Sequence, residues 1–196
     1  MLPVDNAYGG WPRSGEMDLL EAVGNRHYTS RITNRTRGIA VAHSTIHYGE
    51  SRAQDRRHGE DYTFPHSTFG DGFHKYWLDW TENHIIMGVD DHPILSWNTP
   101  PHGYWQEGEF PSNLHNVWSS GTKSAPFDKP FYLILDVAVN GGQFSENYVN
   151  QPYPKPWTLH EPDAMQKFWA ARHLWKPTWH GEGTAMKIRS VKMQQY

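Results

Sequence analysis

The sequence predicts an all-β sandwich. Short apolar runs are separated by Gly, Pro, Asn and Asp, the punctuation of strands joined by turns. Aromatic residues reach 14%, with Trp 10 and Tyr 10, which suits a core between two sheets and equally suits a surface that stacks on sugars. Helical spacing is confined to one short stretch.

In chain order, residues 17–22 read as a strand, and 39–48 as a second one with a possible interruption. Residues 73–81 and 84–89 flank Glu82-Asn83 as a hairpin, and 94–97 is a short strand. Residues 131–139 form the clearest strand. They are apolar on both faces apart from Asp136, which predicts a central position. Residues 185–193 close the set with mixed alternation. The exception is 163–175, where Ala164, Phe168, Ala171 and Trp175 recur at helical spacing behind Pro162 and Asp163, a start signal for a short helix. Residues 49–72 and 98–130 read as long polar loops, expected to rim a cleft. Asn140-Gly141-Gly142 reads as a turn rather than a phosphate loop.

The 196 residues suit a single domain, 1–196. Net charge is −3 with His neutral, so no basic field favours nucleic acid or anionic lipid, and neither nucleic acid nor membrane is expected as a partner. No run of about 18 apolar residues is present. Thirteen His residues make the charge climb as pH falls toward about 6. With no Cys, the fold does not depend on disulfides, and cysteine usage says nothing of the compartment. Met1-Leu2-Pro3-Val4-Asp5 has neither the basic segment nor the apolar stretch of a signal peptide. Asn34-Arg35-Thr36 is a glycosylation triplet, weak as a sign of secretion. Composition leaves oligomeric state open.

The chemistry concentrates in Gly15-Glu16-Met17-Asp18-Leu19-Leu20-Glu21. On a regular strand side chains alternate, so Glu16 and Asp18 share a face and Glu21 points away. One extra residue in the strand, a β-bulge at Leu19-Leu20, returns Glu21 to that face. Three carboxylates in such proximity raise the pKa of at least one of them. A retaining glycosidase uses this situation: one carboxylate attacks the anomeric carbon and a second, protonated, serves the leaving oxygen, the two about 5–5.5 Å apart. An acidic, solvent-facing strand edge is the alternative reading. The apolar Met17, Leu19 and Leu20, and Trp11-Pro12 just upstream, weigh against it.

Tyr8-Gly9-Gly10-Trp11-Pro12-Arg13-Ser14, continued by that acidic strand, resembles the active-site strand of glycoside hydrolase family 16. It resembles the laminarinase branch, with its bulged E-x-D-x-x-E form, and within it the invertebrate β-1,3-glucanases and the β-1,3-glucan-binding (Gram-negative bacteria-binding) proteins. The resemblance continues through Ser44-Thr45-Ile46-His47-Tyr48, Gly72-Phe73-His74, Asp79-Trp80-Thr81, residues 130–142, Phe168-Trp169 and Pro177-Thr178-Trp179. It implies a concanavalin A-like β-jelly-roll sandwich with a concave glycan cleft, incomplete at its N-terminal side. A chain lacking those strands is expected to be aggregation-prone and weakly active.

By the same resemblance, Glu16 matches the nucleophile, Glu21 the general acid/base and Asp18 the assisting carboxylate. Trp11 matches a sugar-stacking residue, and Arg13 and His47 fall where the cleft is expected, with an ordinary polar role equally open for both. The implied partner is a β-1,3-glucan, polysaccharide or oligosaccharide, and the implied location is extracellular. The implied activity is retaining endo-β-1,3-glucanase, or non-catalytic glucan recognition in innate immunity. No cofactor and no metal is expected: His43, Thr45 and His47 share a face, but the sequence offers no evident third ligand.

Overall fold

The computed structural model describes residues 1–139 and 141–195. The first residue of the expected turn at Asn140-Gly141-Gly142 therefore lies outside the described residues. In order, the strands are β1 (Leu2–Pro3), β2 (Glu16–Ala22), β3 (His27–Ser30), β4 (Val41–Gly49), β5 (Asp55–Thr63), β6 (Tyr76–Trp80), β7 (His84–Val89), β8 (His92–Asn98), β9 (Phe131–Tyr132) and β10 (Tyr148–Gln151). The α-helices are α1 (Gly103–Glu107), α2 (Ala164–Ala170) and α3 (Arg172–Trp175). The chain divides into two compact units, Met1–Ala22 with Ala40–Leu135, and Val23–Ile39 with Asp136–Tyr196.

The first unit holds two three-stranded antiparallel sheets, ordered β2-β4-β5 and β6-β7-β8. Strand β4 earns its central place by sequence: Val41, Ala42, Ser44, Ile46 and Tyr48 are all buried. Met17, Ile46 and Tyr48 of this sheet meet Ile85, Met87 and Leu95 of the other in one apolar cluster. Burial of each such aliphatic side chain contributes about 1.5–3 kcal/mol. The expected hairpin is present. Between β6 and β7, the Thr81 hydroxyl accepts hydrogen bonds from the backbone N–H groups of Asn83 and His84.

The second unit pairs β3 with β10, antiparallel, and stacks Tyr28 on Tyr148 with ring centroids 4.9 Å apart. The helix expected over 163–175 forms as two short ones, α2 and α3, with Ala171 between them. Phe168 and Trp175 lie nearly parallel across that break, centroids 4.5 Å apart.

Four expectations need correction. Residues 49–72 are not one loop, because β5 runs through them. Its core-facing positions are Arg56, His58, Glu60 and Tyr62, opposite Tyr48, Ile46, Ser44 and Ala42. Planar polar groups replace aliphatics there: His58 stacks on Trp97 at 3.4 Å and Arg56 lies over Phe110, so no alternation of apolar residues marks the strand. Residues 98–130 do not merely rim a cleft, since Tyr104, Trp118, Ala125 and Phe127 belong to the core cluster. Residues 131–139 form a strand only at Phe131–Tyr132, paired to Pro3 and Leu2. Beyond that pairing Ile134, Leu135, Val137 and Val139 are exposed; a strand is defined by its neighbours, and no described strand pairs with 133–139. Residues 185–193 likewise carry no ladder among the described residues.

Glycine 88 shows how tightly the second sheet is set. The β7–β8 register shifts between Met87 and Gly88, and Trp77 lies across the glycine from the opposite strand. A Cβ at this position would sit 2.3 Å from Trp77 Cζ2 and 2.5 Å from the His92 carbonyl oxygen. Gly88→Ala is expected to destabilise the first unit by about 1–3 kcal/mol, the scale of overpacking. The check is the urea midpoint; an unchanged midpoint would show that the sheet yields more freely than this packing allows.

Candidate active site

The acidic strand is built by one register shift. Glu16 lies opposite His47, Met17 opposite Ile46 and Asp18 opposite Thr45, yet Glu21 lies opposite His43. Three steps along β2 therefore match two along β4, and the surplus residue is a bulge between Asp18 and Glu21. The Ser44 hydroxyl donates to the Leu19 carbonyl at 2.8 Å, supplying a partner that the interrupted ladder does not. Residues 43, 45 and 47 alternate onto one face of β4, so their partners Glu16, Asp18 and Glu21 occupy that face too. Met17 and Ile46, between them, are fully buried on the other.

The turn before the strand is pinned from several sides. The Ser14 hydroxyl donates to the Gly9 carbonyl and accepts from the Tyr8 N–H. Trp118 Nε1–H donates to the Arg13 carbonyl at 2.6 Å. The turn delivers Trp11 to the first carboxylate: its Nε1–H donates to Glu16 Oε2 at 2.6 Å. The Trp11 ring is 37% exposed and carries the Arg52 guanidinium 5.3 Å from its centroid.

His47 stands between two carboxylates. Its Nε2 is 3.5 Å from Asp18 Oδ2, and its Nδ1 is 3.2 and 3.1 Å from the two oxygens of Asp55. All three side chains are less than one-fifth exposed. Across the sheet, His43 Nδ1 meets Asp61 Oδ1 at 2.7 Å. Gly59 leaves the space in which His43 lies: a Cβ there would approach His43 Nε2 to 2.8 Å and Thr45 Oγ1 to 2.9 Å.

The structure thus brings Trp11, Glu16, Asp18 and His47 into one cluster, with Glu21 further along the same face. Arg13 is engaged elsewhere. Its guanidinium donates to the Glu50 carbonyl and pairs with the Glu50 carboxylate. The sequence reading missed Asp55 and Arg52. Both lie in the stretch read as loop: Asp55 reaches His47 through the β4–β5 register, and Arg52 reaches Trp11 from the short turn before β5.

Glu16, Asp18 and His47 also have ligand atoms within 4.8 Å of one another, close enough to hold a cation. This group is not the His43–His47 face considered from the sequence: it contains His47 but not His43, and its other two members come from β2. Proximity alone does not make a metal centre, and the hydrogen bonds from Trp11 and to Asp55 already engage Glu16 and His47.

Comparison with known proteins fits this geometry. Residues 5–149, which include all three strands of the sheet that carries the acidic strand, match the model of glycosyl hydrolases family 16. The chain belongs to this family. Among curated family relatives, it is 36% identical over 205 residues to the β-1,3-glucan-binding protein of Penaeus monodon, covering 98% of this chain and 52% of that one. It is 32% identical to Gram-negative bacteria-binding protein 1 of Drosophila melanogaster, covering 97% and 37%. It is 34% identical over 142 residues to glucan endo-1,3-beta-glucosidase A1 of Niallia circulans, covering 72% and 17%. The chain therefore spans about half the length, or less, of these relatives. The all-β jelly-roll class expected from the resemblance stands on this membership and on the facing antiparallel sheets.

Electrostatics separates the acids. Burial raises the Asp18 carboxyl first, and the charges of Glu16 and Glu21 push further in the same direction, to about 8. Its ordinary value is 3.8. Between those two values the folded chain keeps a proton that the unfolded chain has released. Stability therefore falls as pH rises through that window and levels off above it. Asp18→Asn removes the titration. It is expected to raise the melting temperature relative to the unsubstituted chain by an amount that grows from about pH 4 to about pH 8 and then stays constant. A difference independent of pH would show that Asp18 titrates normally.

Proposed function

We propose that this chain carries the catalytic strand of a retaining endo-β-1,3-glucanase. One observation carries the reading: the bulge returns Glu21 to the face of Glu16 and Asp18, so that Asp18 stands between the two glutamates.

In this reading the Glu16 carboxylate attacks the anomeric carbon. The bond to the leaving oxygen breaks, and Glu21 gives that oxygen its proton. Glu21, now a base, takes a proton from water, whose oxygen attacks the same carbon and releases Glu16. Asp18, holding its proton, lets the charge on Glu16 stand beside it without a second one. Trp11 holds the attacking oxygen pair in place through its Nε1–H, and the exposed part of its ring offers a flat face to a pyranose. The substrate would be a β-1,3-glucan polymer or oligosaccharide, met outside the cell.

A second reading follows from the relatives. Two of those compared are named for binding glucan or Gram-negative bacteria, which favours a non-catalytic recognition protein of innate immunity. The carboxylates separate the two readings, since recognition does not need all three.

Release of reducing sugar from laminarin by the wild-type chain decides first. Glu16→Gln is expected to abolish turnover while leaving glucan binding in place. Glu21→Gln is expected to be nearly as severe but partly rescued by azide on an activated glucoside, because the nucleophile survives. Proton NMR of the first product should show retained anomeric configuration. Inverted product, or wild-type turnover in either variant, would reject the assignment; glucan binding without hydrolysis would favour recognition.

A further inference from the structure

His47 could reach Asp18 with either ring nitrogen bare or protonated. What decides is the partner of the other nitrogen. That partner is Asp55, whose two carboxylate oxygens flank Nδ1 at 3.2 and 3.1 Å. An ionised carboxylate only accepts, so Nδ1 must donate. In the neutral ring Nε2 is then bare, and it faces Asp18 Oδ2 at 3.5 Å. Asp55 opens β5 on the diagonal from His47, whose direct partner across the ladder is Arg57. It therefore does not belong to the acidic strand and touches it only through the imidazole.

We infer that Asp55 is a positioning residue for the Glu16–Asp18 pair: by fixing the Nδ1–H tautomer of His47 it turns a proton acceptor, rather than a donor, toward Asp18. The inference rests on the catalytic reading above. Its consequence is chemical. Facing a bare Nε2 on one side and Glu16 on the other, Asp18 has acceptors for its proton on both sides, against the opposing charge of the amino terminus. A ring turned to the other tautomer would point Nε2–H at Asp18, donate to its carboxylate and favour loss of its proton. Glu16 and Asp18 would then both carry charge.

The charges facing this ring come from three places. Strand β2 supplies Glu16 and Asp18, with Glu21 further along it and the amino-terminal ammonium opposing them. Strand β5 supplies Asp55 and Arg57. The preceding turns supply Arg52, over Trp11, and the Arg13–Glu50 pair. Among the described residues the hydrogen-bond partner of Nδ1 is Asp55, so its replacement should change the tautomer.

Asp55→Asn tests this in the intact chain. The asparagine amide can donate to a bare Nδ1, which moves the ring proton to Nε2. Nitrogen-15 NMR of the His47 ring is expected to show Nδ1–H in the unsubstituted protein and Nε2–H in the variant. On laminarin, kcat should fall by roughly tenfold with KM little changed, a milder loss than a wrong tautomer causes where histidine is itself the base. The alkaline limb of kcat/KM should move to lower pH. In a His47→Gln background, Asp55→Asn should cost little more, because the residue acts through the ring. Asp55→Glu, which keeps a carboxylate acceptor, should retain the Nδ1–H tautomer and guard against a loss due to misfolding. An unchanged tautomer in Asp55→Asn, an equal loss with and without His47, or a loss confined to KM would overturn the inference. If the unsubstituted chain releases no sugar, the catalytic reading fails, and the tautomer measurement alone decides the positioning role.

Discussion

A flat strand cannot present residues i, i+2 and i+5 on one face, because alternation sends the last one to the other side. Everything chemical in this protein depends on how β2 escapes that rule while keeping Met17 in the core. The single surplus residue at Leu19-Leu20 does both. Before it, Glu16 and Asp18 lie over His47 and Thr45; after it, Glu21 lies over His43. The register of β4 with β5 runs without a shift from Val41 to Gly49, so the irregularity is confined to one strand of the sheet. The neighbouring strand stays regular and works as the template against which the bulge is read. Ser44 is the residue of that template that answers the bulge, through its bond to the Leu19 carbonyl.

The bulge has an electrostatic consequence that the rest of the face accommodates. Three acids share a surface floored by Thr45, only 2% exposed, so full ionisation of the set is opposed by both desolvation and repulsion. The neighbours answer according to position. Glu16 receives a donor, the Trp11 N–H. Asp18 is pushed toward its protonated form. Two histidines stand opposite, each held at Nδ1 by an aspartate of β5. The same face of β5 carries Gly59, whose missing side chain gives His43 room to lie flat. A strand with aliphatic residues on this side could not have provided either carboxylate or either space.

That arrangement explains what was legible in the sequence. The bulge was legible because two leucines separate Asp18 from Glu21, and a regular strand would have left either the leucines or Glu21 on the wrong face. The hairpin was legible because two apolar runs flank the polar pair Glu82-Asn83. Strand β5 was not, since its inner face packs Arg56, His58 and Tyr62 as flat rings and planes against Phe110, Trp97 and His92. Such packing has no signature in a hydropathy pattern. Asp55 was hidden with it: eight residues from His47 in sequence, it becomes a partner only once the β4–β5 register is known. The opposite error occurred at 131–139, where an apolar run read as a central strand; composition states what a segment could bury, and pairing partners determine whether it does.

Sugar recognition and sugar cleavage make different demands on such a face. Recognition needs flat apolar surface and hydrogen-bonding groups, which the exposed tryptophan and the histidines already offer. It gains nothing from placing a third acid beside two others, where burial and the neighbouring charges push the Asp18 carboxyl up to about 8 and ionisation works against the fold. In the catalytic reading cleavage does gain, because an uncharged Asp18 between the two glutamates lets Glu16 carry its charge without a second one beside it. A chain selected only for binding would shed the strain by replacing Asp18 or Glu21 with a neutral residue at little loss of contact surface. Here the bulge, the donor on Glu16, the raised carboxyl of Asp18 and the imidazole between two aspartates meet on one face. The catalytic reading proposed above uses all four, whereas recognition uses only the flat surface and the hydrogen-bonding groups among them.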